Sequence, residues 1–160
     1  MKFLGKILLI LLLLALSLAF GAIWLNRVPI TAEPGWAKRL LVYLTRNEAV
    51  TGDKHEFPEL RPREYAVPAA ELFAAVRASV VTLGWQIKSF DPAERQLHAV
   101  VSTSLLDFKD DLRLQVDAAN SDTRSRLSAR SGSRVGRADF GANLGHILEL
   151  QRALGQRLGG

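Results

Sequence analysis

A chain of 160 residues without cysteine accommodates one ordinary domain plus a short appended segment. The missing thiol excludes disulfides, thiolate zinc sites and cysteine nucleophiles. The net charge of +5 includes Lys2, Lys6 and Arg27, which flank an apolar run; without them 18 basic residues face 16 acidic ones, too slight an excess for a polyanion binder, so no nucleic-acid partner is expected.

The chain begins Met1-Lys2-Phe3-Leu4-Gly5-Lys6, and from Ile7 to Leu25 only Ser17 and Gly21 interrupt the apolar run. At about 1.5 Å per residue this run spans most of a hydrocarbon core of about 30 Å. A soluble core helix of this length needs a polar face, and none is visible. Lys2, Lys6 and the amino terminus favour the cytoplasmic side, which sends the rest of the chain across. Trp24 stands where an interfacial aromatic anchors a span. The competing reading is a cleaved signal, because Ala19-Phe20-Gly21 offers small residues at the two required positions. We expect an uncleaved anchor over residues 1–27; both readings place the domain outside the cytoplasm.

Residues 28–50 read as a juxtamembrane segment. After Pro29 and Pro34, the residues Trp36, Leu40, Tyr43 and Leu44 recur at helical spacing, with Lys38, Arg39 and Arg46 off that stripe. The pattern predicts an amphipathic helix at the membrane surface, with the same four residues as candidate lipid contacts. A helix packed on its own domain has the same pattern.

The predicted domain covers residues 51–160. Thr51 to Pro68 is rich in charge and proline and reads as a linker or extended lead-in, with a candidate edge strand at Arg63 to Val67. Pro68 opens a helix with the stripe Leu72, Val76, Val80 and Leu83, and Gly84 ends it. Alternation then predicts strands around Trp85 to Lys88, Leu97 to Ser102, Leu112 to Ala118 and Arg126 to Arg130, with turns at Asp91-Pro92 and Asn120-Ser121-Asp122. A last helix starts near Asp139, a good N-cap, and buries Phe140, Leu144, Ile147, Leu148 and Leu154. Short connections favour antiparallel pairing. The expected fold is therefore α+β: a two-layer sandwich of a mainly antiparallel sheet, four or five strands, with two helices on one face.

Signatures of hydrolases, phosphate-binding loops and zinc proteases are missing, and His55, His98 and His146 lack ligand spacing, so no metal or cofactor is expected. Two clusters remain. The first is Asp107-Phe108-Lys109-Asp110-Asp111. Adjacent strand residues face opposite ways, and Asp110 shares parity with Leu112 and Leu114, so it should point inward at the core's rim. The second runs from Arg130 to Asp139 through Ser131, Gly132, Ser133, Arg134, Gly136 and Arg137, and reads as a strand end, a two-glycine loop and a helix start. Arg130 or Arg134 is expected to pair with Asp110 or Asp111. Anion or headgroup binding by the loop is the alternative, and catalysis a third. From Glu48 to Asp122 acids outnumber bases by 13 to 8, whereas from Arg124 onward bases lead by 7 to 2. Internal pairing accounts for this asymmetry; a basic surface facing anionic lipid or envelope polymer is the alternative.

Phe108-Lys109-Asp110-Asp111 and the run Arg130-Ser131-Gly132-Ser133-Arg134-Val135-Gly136-Arg137-Ala138-Asp139-Phe140-Gly141-Ala142-Asn143 together resemble the bacterial domain-of-unknown-function family DUF1499 over roughly Thr45 to Leu158. The pattern is Phe-x-Asp-Asp, then Arg-Ser-x-Ser-Arg-x-Gly-x-x-Asp-x-Gly-x-Asn. Two departures stand out. The Ser-Pro-Asn-Cys segment of many members is replaced by Thr45 to Thr51, and His146 stands where many members place arginine. The resemblance implies an exported or membrane-attached bacterial domain and no reaction. With the anchor, it places the chain in the cytoplasmic membrane as a single-pass protein with a periplasmic domain. The function expected is a non-catalytic envelope module that binds a lipid, polymer or protein partner. The alternative is an envelope enzyme using Asp110, Asp111 and the 130–139 loop. The candidate network comprises Asp110, Asp111, Arg130, Ser131, Ser133, Arg134, Arg137, Asp139 and Asn143.

Overall fold

The computed structural model describes residues 2–103 and 108–159. The apolar run forms one helix, α1 (Lys2–Leu25), long and apolar enough to cross a membrane, a property that it shares with a secretory signal. The short helix α2 (Trp36–Thr45) follows, then β1 (Glu48–Val50), a single 3-10 turn at Pro58–Leu60, and β2 (Arg63–Tyr65). Helix α3 (Ala69–Thr82) leads into β3 (Gln86–Asp91), β4 (Gln96–Ser102), β5 (Lys109–Ala118) and β6 (Ser125–Ser133), and α4 (Ala142–Leu158) closes the chain.

The sheet is antiparallel throughout, in the order β1-β6-β5-β4-β3, and β2 pairs with the same edge of β6 as β1. That edge is therefore shared by two three-residue strands, which brings the count to six. The alternation of β4, β5 and β6 sends Leu97, Ala99, Val101, Leu112, Leu114, Val116, Leu127 and Ala129 into one core. Leu72, Val76 and Val80 of α3 and Leu144, Ile147, Leu150 and Leu154 of α4 complete it from the same side. The result is the expected α+β sandwich: a sheet with two helices on one face, and the other face open.

Three segments differ from their sequence reading. Residues 51–68 are no linker: Phe57 and Leu60 are buried core residues, and β1 and β2 add backbone bonds to β6. The expected edge strand at Arg63 to Val67 is present as β2, whereas β1 is too short for periodicity to reveal. Tyr43, a candidate lipid contact, turns inward and is 2 % exposed. The outward apolar face of α2 is Trp36, Leu41 and Leu44, with Leu40 half-buried. Finally, β6 runs on to Ser133, so Gly132 is a strand residue opposite Asp111 rather than part of a loop. Helix α4 consequently begins three residues after Asp139.

The end of α1 belongs to the domain. Ile23 (1 % exposed) and Val28 are members of the same apolar core as the sheet, while Trp24 beside them is 81 % exposed. The Asn26 side-chain amide donates to the Phe140 carbonyl at 3.0 Å. Helix α4 admits this contact because position 145 is glycine. A Cβ there would come within 2.8 Å of the Asn26 carbonyl oxygen, a backbone atom that cannot rotate away. A glycine inside a helix costs about 0.5–1 kcal/mol against alanine, so close approach is its physical justification. Gly145→Val should therefore lower stability by about 1–3 kcal/mol through overpacking. Thermal unfolding of the full chain in detergent checks this, and an unchanged midpoint would show that the contact is not held.

Candidate functional site

The two aspartates stand side by side on β5 and face opposite ways, as the pleat requires. Asp110, opposite Ser133 and Val101, is turned to the core face and is 1 % exposed. Its Oδ2 lies 2.9 Å from Nε2 of His146 on α4, and its Oδ1 has no hydrogen-bond partner among the described residues. The other ring nitrogen of His146 is likewise without a partner among the described residues, and Trp85 meets the imidazole edge-on at 6.0 Å. A carboxylate sunk this deep requires a partner, and here the partner is a histidine rather than the expected arginine.

Asp111 lies on the open face of the sheet. Arg134 donates to it through Nε and Nη2, both at 2.8 Å, and His98 Nε2 approaches its Oδ1 at 2.7 Å. The fork of Arg134, then its charge and the His98 contact, hold the Asp111 carboxyl well below the usual carboxylate range. Arg130, the other arginine of the second cluster, pairs with Glu48 at 2.5 Å and so clasps β1 to β6. Arg137 is exposed and its side chain has no partner among the described residues.

The remaining nominated residues form one node beneath the start of α4. Asp139 accepts from the backbone amides of Gly141 (2.9 Å) and Asn143 (3.0 Å). It therefore satisfies the orphan donors of the helix from two residues before the cap, where Gly141 adopts a left-handed φ of 84°. Asn143 is fully buried. Its amide nitrogen reaches Asp139 Oδ2 (2.7 Å), the Asn47 carbonyl (2.8 Å) and Ser133 Oγ (2.9 Å), while its oxygen accepts from Ser131 Oγ (2.6 Å). Burial pushes the Asp139 carboxyl above its ordinary value; the bonds from Asn143 and Gly141 offset part of that, and the charge of Asp110 adds to it.

The nine nominated residues thus divide. Ser131, Ser133, Asp139 and Asn143 meet in the node, and Asp110 lies close enough to act on it electrostatically. Asp111 and Arg134 pair on the opposite face, Arg130 leaves for Glu48, and Arg137 points to solvent. Asp107, from the first cluster, lies outside the described residues. With Asp139 already on the helix-start amides, the 130–139 loop acts as a fastening and offers an anion little at that end.

Sequence reasoning missed His98 and His146 as aspartate partners. His98 is diagonal to Asp111 across β4 and β5, which only the register reveals. His146 stands one turn after Asn143 on α4, so a helical projection from Asn143 could have placed it beside the node. Arg39, placed by its spacing off the apolar stripe of α2, is the largest fully buried side chain among the described residues. It forks onto Glu59 (Nη1–Oε1 2.6 Å, Nη2–Oε2 3.0 Å) and stacks over Phe57 at 4.3 Å. Its guanidinium also donates to the carbonyls of Pro29, Ala32 and Glu33. Burial works against its charge, yet the bonds to Glu59 and Tyr43 more than compensate and raise its pKa.

A family model matches residues 40–154, that of the family described as Protein of unknown function (DUF1499). The chain belongs to this family. The DUF1499 match begins inside α2 and ends inside α4, so it takes in the whole sheet, the node and both aspartates, and leaves α1 outside. No curated protein matches. Among solved structures, the chain is similar to a solution NMR structure of a structural-genomics target from Thermobifida fusca. The two share 14 % identity with a TM-score of 0.46, over 62 % of this chain and 91 % of that one.

The Asp111–Arg134 pair makes a prediction of definite sign. The folded-state pKa of Asp111 lies below its unfolded value of about 3.9, so the pair stabilises the fold above that pH and loses this contribution as the pH falls further. Thermal midpoints measured from pH 7 down to pH 2 should fall less steeply below about pH 4 in Asp111→Asn than in the parent chain. Parallel acid limbs would show that the pair carries no pH-dependent stability.

Proposed function

We propose that the chain is a non-catalytic module, tethered by α1 to a bacterial cytoplasmic membrane, whose domain sits on the extracytoplasmic side against the bilayer surface and binds an envelope component there. One observation carries this reading: the end of α1 is packed into the domain through Ile23, Asn26 and Val28 instead of leading to it through a free linker. A domain joined in this way cannot swing far from the headgroups. Lys2 and Lys6 before the span supply its orientation.

Helix α2 supports the same reading. Arg39 and Tyr43 fix one side of it to the domain, and its other side presents Trp36, Leu41 and Leu44 to the outside. The helix begins eleven positions after α1 ends, and the intervening connector is fastened by Arg39. A bilayer surface beside the anchor is the occupant that suits this apolar side.

The enzyme reading retains one favourable observation. Asp110 orients His146, whose free nitrogen could serve as a base. Against it, no hydroxyl among the described residues is hydrogen-bonded to His146, whose one ring contact is with Asp110. We favour the binding role.

Tryptophan fluorescence tests the seating of the domain. In a chain carrying Trp24→Phe and Trp85→Phe, Trp36 is the sole emitter. Reconstituted into vesicles with lipids brominated near the headgroup end of the acyl chains, it should be strongly quenched. Emission equal to that in unbrominated vesicles would refute interfacial seating of α2.

A further inference from the structure

At the exit of α1 the domain carries an open polar cleft of about 350 Å³, with walls that include Asn26, Arg27, Trp85, His146, Glu149 and Arg152. Its first wall residue is Leu25, the last residue of the candidate span. If α1 crosses the bilayer, this cleft lies at the depth of the lipid headgroups, and Trp24 beside it is exposed where an interfacial aromatic belongs.

The charges in the wall are unspent. The side chains of Arg27 and Glu149 form no hydrogen bond or ion pair among the described residues, and Arg152 uses only its Nε, on the Leu148 carbonyl of its own helix turn. His146 offers its second ring nitrogen, with the first held by buried Asp110. Two guanidinium groups and one carboxylate therefore share one cleft. Arginine forks match the geometry of a phosphate, whereas a carboxylate suits an ammonium that can donate hydrogen bonds to it. Glu149 and Arg152 stand one turn apart on α4, so both charges of a ligand would be met from neighbouring positions.

We propose that this cleft holds the headgroup of a zwitterionic phospholipid with a primary ammonium, of the phosphoethanolamine class. Arg27 and Arg152 take the phosphate and Glu149 takes the ammonium. Trp85 and His146 form the wall between them. The assignment rests on the membrane-seated reading above and adds to it a ligand and the residues that select it. Anionic lipids would satisfy the arginines and leave Glu149 opposed to them, and a trimethylated ammonium cannot donate a hydrogen bond to Glu149.

The full chain would be reconstituted in nanodiscs of phosphatidylcholine alone, or of phosphatidylcholine mixed with phosphatidylethanolamine or with phosphatidylglycerol. Native mass spectrometry of the released protein then counts retained lipids. Phosphatidylethanolamine should be retained about tenfold over phosphatidylcholine, a preference worth about 1.4 kcal/mol. Arg27→Gln with Arg152→Gln should abolish retention of both minority lipids. Glu149→Gln should remove the preference for phosphatidylethanolamine and leave phosphatidylglycerol retention equal or higher. Equal retention of all three lipids, or a preference that survives Glu149→Gln, overturns the assignment. All three residues are exposed, and unchanged thermal midpoints confirm that the variants fold. Hydrogen exchange in phosphatidylcholine alone separates this assignment from the membrane-seated reading: protected amides at Asn26 and Arg27, which donate to the Ala22 and Trp24 carbonyls, keep that reading whatever the lipid counts show, and unprotected ones end it.

Discussion

The buried guanidinium of Arg39 is the contact on which the arrangement of the α1 end and the domain depends. It has no exposed surface, and its donors are divided between Glu59, the Tyr43 hydroxyl and the carbonyls of Pro29, Ala32 and Glu33. Those carbonyls belong to the connector between α1 and α2, a stretch without secondary structure that would otherwise leave its polar groups to water. A buried ion pair adds little net stability, because desolvation opposes the Coulombic gain, and its value lies in fixing one geometry. Removing one partner leaves the other as an uncompensated buried charge, at a cost of about 3–5 kcal/mol. Arg39 thus makes the connector part of the domain, and Ile23 and Val28 bring the end of α1 with it.

The second organising element is the polar node around Asn143. It ties the end of β6, the Asn47 carbonyl before β1 and the first turn of α4 through one fully buried amide. Such a network tolerates no register slip, since a shift of one residue would turn Ser131 and Ser133 away from Asn143. Asp110 and Asp139 lie near each other in this region, both short of water, and Asp139 responds with a raised pKa. Asp110 is instead met by a single hydrogen-bonding partner, His146 on α4. The motif that defines the family resemblance is therefore chiefly architecture, and the unspent charge lies beside it, at the exit of α1.

Much of this was legible in the sequence, and the limits follow from what periodicity can encode. The long alternation of Leu112 to Ala118 and the stripe from Leu72 to Leu83 located β5 and α3, and parity alone placed Asp110 inward and Asp111 outward. The arginine–aspartate pair was foreseen as a type, and the structure selects Arg134 and Asp111 from the four combinations. What escaped were features set by long-range contacts. Strands of three residues carry no period, so β1 lay hidden and the lead-in holding Phe57 and Leu60 read as a linker. The stripe of α2 left two neighbours open, the bilayer and the domain, and Tyr43 takes the second; Arg39 stood off that stripe, and a buried arginine is indistinguishable in sequence from an exposed one. His98 and His146 had no ligand spacing, and each became meaningful only through register or helix packing.

The packing of Ile23, Asn26 and Val28 requires the end of α1 and the sheet domain to move as one body. The chain has no cysteine, so two introduced cysteines label cleanly. Spin labels at Trp24→Cys and Asp122→Cys, both exposed positions, would report the separation of anchor and domain by double electron–electron resonance in nanodiscs. A single narrow distance distribution is the expected result. A broad distribution, of the kind a free linker produces, would contradict the account and with it the seating of the domain at the membrane.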